Sequence, residues 1–485
     1  MKIRNRHTEC LMVAAALFLC ACGGDAKVTA VDAAGTDQQG AETATPDVAA
    51  DINQPSVPDG GPVGGSDASL DAGVACAPLP TGGPTPAGTA PMQAAGPIVV
   101  STAMRPELSA AVADGSYTIR KALAQGGTIT VAGADGGVSL PDGGVAPSAP
   151  VTYSVFDNWD PVANGIGNPA TFTPMFTVAA DGSGTHKTID AAIAEAVFLA
   201  TCSRVYIRIM PGVYRGQVNV PSKTSAPPLT LYSTESDASK TTIVFNASAS
   251  LAGNMSASAT LTIKALSGFQ MKNLTVTNDY VEGSIPGDNQ SGVALLNQSD
   301  RAQFENVRVL GNIGTLYLKS LDQNAVARSY FRDSYVEGDQ DVILGRGTAV
   351  FDHTEIKYLS GRQAMGGVIA YPSTVVFNRY GFLFESCQFS AEAGATGVFL
   401  GHQWLESDLV VAVGKMIVRN STLGGHIAAT PWSTLGNRLA TPKNPAGTAP
   451  VLVFTSDDYY PSGNGPVPTE PYLAEYGNTG PGAQR

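Results

Sequence analysis

Charge is scarce. Charged side chains make up 14% of the 485 residues, and the balance is acidic, with a formal net charge of −12. No basic stripe is available to neutralise phosphates, which excludes nucleic acid as a partner. Much of the acidity lies ahead of the folded part, so its sign says little about the site. Aromatics are 7%, and the six cysteines show no metal-ligand spacing. The glycine-rich stretch Asp181 to Gly184 is not a phosphate loop, because no Gly-Lys-Ser/Thr follows at the required offset. Acids spaced for calcium along the chain are also missing. No metal or cofactor is therefore expected. Beyond the first 22 residues no run is long and apolar enough to span a bilayer, which confines any membrane attachment to the N-terminus.

What is present begins with that N-terminus. Residues 1–22 carry Lys2, Arg4 and Arg6, an apolar run from Leu11 to Leu19 and then Leu19-Cys-Ala-Cys22, the marks of an export signal. The last four residues resemble a bacterial lipobox, which makes Cys22 the expected lipidation site. Gly23 and Gly24 follow it, and by resemblance to bacterial sorting rules the outer membrane is the expected destination. Residues 23–97 are Ala, Gly, Asp, Pro and Ser with almost no aromatics; such a composition cannot bury enough surface to offset ordering entropy and reads as a flexible tether. With Cys10 and Cys20 removed with the signal, Cys76, Cys202 and Cys387 remain. Cys387 sits in an apolar strand pattern that favours a buried thiol, leaving Cys76 with Cys202 as the pairing to entertain. Residues 98–174 form an N-terminal extension, in which Arg105-Pro-Glu-Leu-Ser-Ala suggests the start of a short helix and Thr128 to Val131 a strand.

Residues 175–485 carry the pattern that fixes the fold. Thr188 caps a predicted helix with Ile189, Ala192, Ile193, Ala196 and Val197 at helical spacing, and strands follow at Val205 to Ile209 and Val213 to Val220. From Met271 onward a motif recurs: apolar, any, small polar, two residues, apolar. Its polar members are Asn273, Asn306, Asp333, His353, Ser386 and Asn420, at intervals of 33, 27, 20, 33 and 34 residues. Periods of that size signal stacked repeats, and strands without a helical stripe make each repeat a coil of β-helix. The polar column is expected at the corners and its apolar neighbours in the bore. A sandwich or barrel would need hairpins and turn signals at closer intervals.

At the centre lies Ser329 to His353. Predicted strands Tyr330 to Val336 and Thr348 to Phe351 flank the polar knot Glu337-Gly-Asp-Gln-Asp341 and the run Val342 to Gly347. Period-two alternation would project Asp339 and Asp341 to one surface. A turn between strands is the alternative meaning of the same Gly and Asp residues.

Collinear stretches from about residue 175 to residue 483 resemble the pectin methylesterase family: residues 182–196 (GSGTHKTIDAAIAEA), 205–220 (VYIRIMPGVYRGQVNV), 268–278 (GFQMKNLTVTN), 291–296, 299–318, 329–356, 398–404 (VFLGHQW) and 472–483 (YLAEYGNTGPGA). The resemblance implies an all-β fold, a right-handed parallel β-helix; secretion; no cofactor; and hydrolysis of methyl esters on polygalacturonate. It places the family's nucleophilic aspartate on Asp341, and the tryptophan that packs against the sugar on Trp404. The second, acid/base aspartate falls on Gly314 and the glutamine before it on Ile313. The other glutamine falls on Ser291, next to Gln290, and His402 stands where the family has an orienting arginine. The combination of the EGDQDVILGRG stretch, residues 381–389 and the lipobox also resembles a subgroup of outer-membrane lipoproteins assigned acyl thioester hydrolysis.

Three readings follow. In the first, an esterase with a rebuilt site uses Asp341 as nucleophile, Asp339 or His402 as proton carrier, Arg346 as the fixing cation, and Gln290, Gln340 or Gln403 as oxyanion donors. In the second, a non-hydrolytic lipoprotein binds uronate or other glycan on Trp404, Tyr371 and Tyr317. In the third, the chain is an acyl thioester hydrolase. The expected partner is an anionic, pectin-like polysaccharide, with the membrane reached only through the N-terminal lipid, and the protein is expected to be a monomer.

Overall fold

The computed structural model describes residues 98–102, 105–124, 127–131, 151–156, 159–433 and 473–484, apart from positions 266, 285–289, 322–326, 363, 375–379, 403, 405 and 407–413. The export signal, Cys22, the tether and Cys76 lie outside the described residues, as does Gln403.

The repeats wind into a right-handed parallel β-helix with three walls per coil. In one turn Arg328–Arg332 forms the first wall, Tyr335–Gly338 the second and Ile343–Gly345 the third. The next coil repeats this with Thr348–Asp352, Glu355–Tyr358 and Val368–Pro372. Successive coils pair in parallel, so like stacks on like. Phe304, Phe331, Phe351, Phe384 and Val418 are register partners on the first wall, and Val309, Val336, Ile356, Phe389 and Leu423 on the second. Both columns are buried in one continuous core. The phenylalanine rings lie face to face, with centroids 4.4, 5.0 and 4.6 Å apart from Phe304 to Phe384. Replacing Phe351 by leucine removes a ring stacked on both sides and is expected to cost about 1–2 kcal/mol, read as a lower denaturant midpoint at unchanged slope.

The polar column explains how the coils turn. Asn273, Asn306, Asp333, His353, Ser386 and Asn420 all have positive φ, between 48° and 60°. This left-handed region is open chiefly to glycine and to Asn or Asp among L-residues, and it accounts for the small polar member of each repeat. The side chains also link coils: Asn306 Nδ2 donates to Asn273 Oδ1 at 2.8 Å. The same geometry corrects the predicted strand from Tyr330 to Val336, which is two strands separated by the Asp333 corner.

The extension differs from expectation at Arg105. Residues Arg105–Leu108 are a strand, because the residue before a proline is biased to extended conformation and the Arg105 guanidinium is held by Glu475 through two bonds of 2.8 and 3.0 Å. The helix begins later, at Ala110–Ser116, capped by Ser109. The strand predicted near Thr128 is Gly127–Val131. Leu108, Val112, Tyr117 and Leu123 pack on Tyr330, Val350, Leu383 and Ile417, the outward-facing neighbours of the core phenylalanines, which alternation would otherwise leave in water. Of the cysteines among the described residues, Cys202 is disulfide-bonded and Cys387 is a free thiol whose pKa burial raises. The helix Ile189–Ala196 forms as its spacing predicts, with Thr188 accepting from the Ala191 N–H.

Candidate active site

The third wall carries a second column on its outer face. Leu296, Tyr317, Leu344 and Tyr371 are successive register partners, and since Gly401 pairs with Ala370, His402 follows Tyr371 in the same row. Leu296, Tyr317 and Leu344 are buried with Ala259 and Val293 in an apolar cluster outside the main core, and the partly buried Met255, Tyr371 and Trp404 pack against it. Trp404 lies 6.2 Å from the Tyr317 ring at 49°. The Tyr371 ring meets the His402 imidazole edge-on at 3.7 Å. Residues 21 to 31 apart in sequence become neighbours here because each arrives one coil later on the same wall.

Asp341 stands where the second wall passes into the third. Its N–H donates to Val368 O of the following coil at 2.9 Å, and Gly314 N–H of the preceding coil donates to Gln340 O at 3.1 Å, so the Gln340-Asp341 pair is pinned from both sides. Asp341 is half-buried, with φ of 50°. The Gln340 amide donates to Asp341 Oδ1 at 2.5 Å and to the Tyr371 hydroxyl at 3.3 Å. Through Gln340 and Tyr371 this carboxylate is linked to the cluster on which Trp404 packs.

Two expectations are corrected. The left-handed turn at Asp341 interrupts period-two alternation, so Asp339 is not presented alongside it. Instead the Asp339 carboxylate is nearly fully buried and gripped by Arg362 through two bonds of 2.9 Å. Arg346, expected to fix Asp341, is engaged elsewhere: Nε donates to Ser320 Oγ at 2.9 Å and Nη1 lies 2.9 Å from Glu406 Oε1. Buried Glu406 also receives the Tyr317 hydroxyl at 2.6 Å and Lys319 Nζ at 2.9 Å. Among the described residues, this one carboxylate is shared by two cations. Gln290 is half-buried and precedes Ser291, whose Cβ lies 3.8 Å from where a side chain on Gly314 would begin.

Three charged residues of this region carry no signal in the repeat pattern. Glu406, Arg362 and Glu282 come from loops between strands, where neither periodicity nor a motif marks them. Glu282 Oε1 accepts the Ile313 N–H at 3.2 Å and Oε2 lies 3.6 Å from Arg362. Burial and the neighbouring Asp339 charge push the Glu282 carboxyl up to about 7 against the opposing pull of Arg362. Among the described residues no cluster of side chains suits a metal ion.

The fold defines the class: a solenoid of stacked parallel coils, with this cluster on the outer face of its third wall. The pattern of the Pectinesterase family matches residues 175–440, and the chain belongs to that family, a carboxylic-ester hydrolase. It is 38% identical to a pectinesterase of Ralstonia solanacearum over 376 residues, 71% of this chain and 88% of that protein. Among solved structures, Escherichia coli YbhC superposes with a TM-score of 0.60 at 25% identity, covering 81% of this chain and 98% of its own. The rice weevil pectin methyl esterase shares the fold, with a TM-score of 0.57 at 23% identity over 82% of this chain and all of that one.

Proposed function

We propose that this protein removes methyl groups from esterified polygalacturonate-like polymers with Asp341 as the nucleophile. The Asp341 carboxylate attacks the ester carbonyl, methanol leaves with a proton from an acid group, and water then cleaves the resulting anhydride to return the carboxylate. Gln340 supports this role most directly: an amide 2.5 Å from Asp341 Oδ1 fixes the attacking group and lies at hand for the developing oxyanion, with Gln290 as a second candidate donor. The family's acid/base position is Gly314 and its orienting arginine position is His402, so the site is a rebuilt version of the family's. An anionic chain lies in a trough along this wall, where the partly buried rings of Trp404 and Tyr371 supply apolar faces for its sugars, while Tyr317, expected to share this role, is buried and supports the wall from within. The protein acts after export, as a monomer held to the outer membrane by lipid at Cys22.

Trp404→Ala is the test of the trough. We expect KM for methylated polygalacturonate to rise about tenfold with kcat held within about threefold, the mark of lost uniform binding. A panel of acyl thioesters assayed alongside should give far lower kcat/KM than the methyl ester. The reverse preference would transfer the same nucleophile to thioester chemistry, and tight polymer binding without any methanol release would leave only a glycan-binding role.

A further inference from the structure

Methanol cannot leave efficiently near neutral pH without a proton donor, and at the position beneath Asp341 this chain has Gly314. Space does not explain the loss, since a Cβ there would meet only Met255, Ser291 and Leu344 at 3.8 to 3.9 Å. Among the described residues, two carboxyl groups with buried side chains adjoin this coil, Asp339 and Glu282. Asp339 is committed to Arg362 by a two-point ion pair. Glu282 is differently placed. Its side chain is 6% exposed and hangs from the Ile313 N–H, and Ile313 bridges in register to Gln340. It therefore sits against the coil directly under the Gln340-Asp341 pair, adjoining the position left empty by Gly314.

We infer that Glu282 is the acid/base of this site, taking over from a neighbouring loop the task that the missing position 314 carboxylate performs in the family. This inference rests on Asp341 being the nucleophile. In the first half-reaction the Glu282 carboxylic acid gives its proton to the departing methoxide as the acyl carbon bonds to Asp341. In the second, the Glu282 carboxylate takes a proton from the water that attacks that carbon, Asp341 departs as carboxylate, and the acid product ionises to solvent. The groups facing Glu282 are Asp339 and Arg362, with the Tyr358 hydroxyl behind them coupled to both. Burial and the neighbouring Asp339 charge raise the Glu282 carboxyl to about 7, and Arg362 limits the shift so that the proton can still be given up. A donor that must be protonated makes kcat/KM fall as pH rises through about 7.

The test is methanol release by the full chain carrying Glu282→Gln, across pH 5 to about 9. We expect kcat to drop about 100-fold with KM little changed, the alkaline limb near neutrality to vanish, and Glu282→Asp to recover part of the rate with a displaced limb. Gly314→Asp in the Glu282→Gln background should restore activity, since aspartate tolerates the left-handed backbone there, φ of 74°; the double variant also guards against a single variant that folds poorly. A Glu282→Gln enzyme with wild-type kcat and an unchanged pH profile, beside a dead Asp341→Asn, overturns the inference while keeping the nucleophile. A wild-type chain that releases no methanol overturns both.

Discussion

Asp341→Asn is expected to lower kcat/KM for methyl-ester hydrolysis by at least about 1000-fold, about 4 kcal/mol of transition-state stabilisation. An amide of the same shape cannot attack the carbonyl, and the neighbouring carboxylates among the described residues are held by other partners. Asp339 is locked to Arg362 at 2.9 Å, while Glu282 hangs from Ile313. The fold should be indifferent to the change, because the backbone bonds that pin residue 341, to Val368 and through Gln340 to Gly314, do not use the carboxylate. Activity and stability therefore separate: the variant should keep its unfolding midpoint and its affinity for the polymer while losing turnover. Steady-state kinetics with a denaturation curve on the same preparation checks both halves.

The second large effect concerns the scaffold. Arg328→Ala is expected to destabilise the protein by about 3–5 kcal/mol. The Arg328 side chain is fully buried. Its Nε and Nη2 bond both oxygens of Asp300 at 2.9 and 2.7 Å, and Nη1 donates to Leu123 O at 2.8 Å. Truncation takes both Arg328 bonds from the Asp300 carboxylate, 7% exposed, leaving Arg301 Nε at the longer distance of 3.8 Å, and strips a partner from the last turn of the helix Ile119–Ala124. It also loosens the hold of the extension on the first wall, where Leu123 packs with Tyr330 and Val350. Arg120→Ala is the matching control. Its ion pair with Asp160 is solvent-facing, with the Arg120 side chain 63% exposed, and such pairs contribute under about 1 kcal/mol. Equal costs for the two substitutions, measured by urea unfolding, would contradict the clamp.

The core was legible because a β-helix writes itself periodically. Each coil needs a residue that accepts a left-handed turn, and Asn273, Asn306, Asp333 and Asn420 announce it by type. His353 and Ser386 do not, and are recognised only by their place in the series. The trough was legible in part, since Tyr317, Tyr371 and Trp404 could be named, but their common wall follows from register rather than from local pattern. Asp339 misled through a sound rule applied beyond its range: alternation holds along a strand, and the strand ends at Gly338, before either aspartate, with a positive φ at Asp341. Arg346 misled because proximity in sequence to Asp341 was taken for proximity in space, whereas the short strand Ile343–Gly345 carries it on to Glu406. Glu282, Arg362 and Glu406 were illegible for a physical reason: loop residues owe their positions to the coils they join, and nothing local encodes which neighbour they will meet.

The central claim is that Asp341 performs ester hydrolysis from the outer wall of the solenoid. The most direct measurement is methanol released from highly methylated polygalacturonate by the wild-type chain and by Asp341→Asn under the same conditions. The account predicts methanol in step with newly freed carboxylate from the wild type and none above background from the variant. Equal release by the two proteins, or none from either, would contradict it.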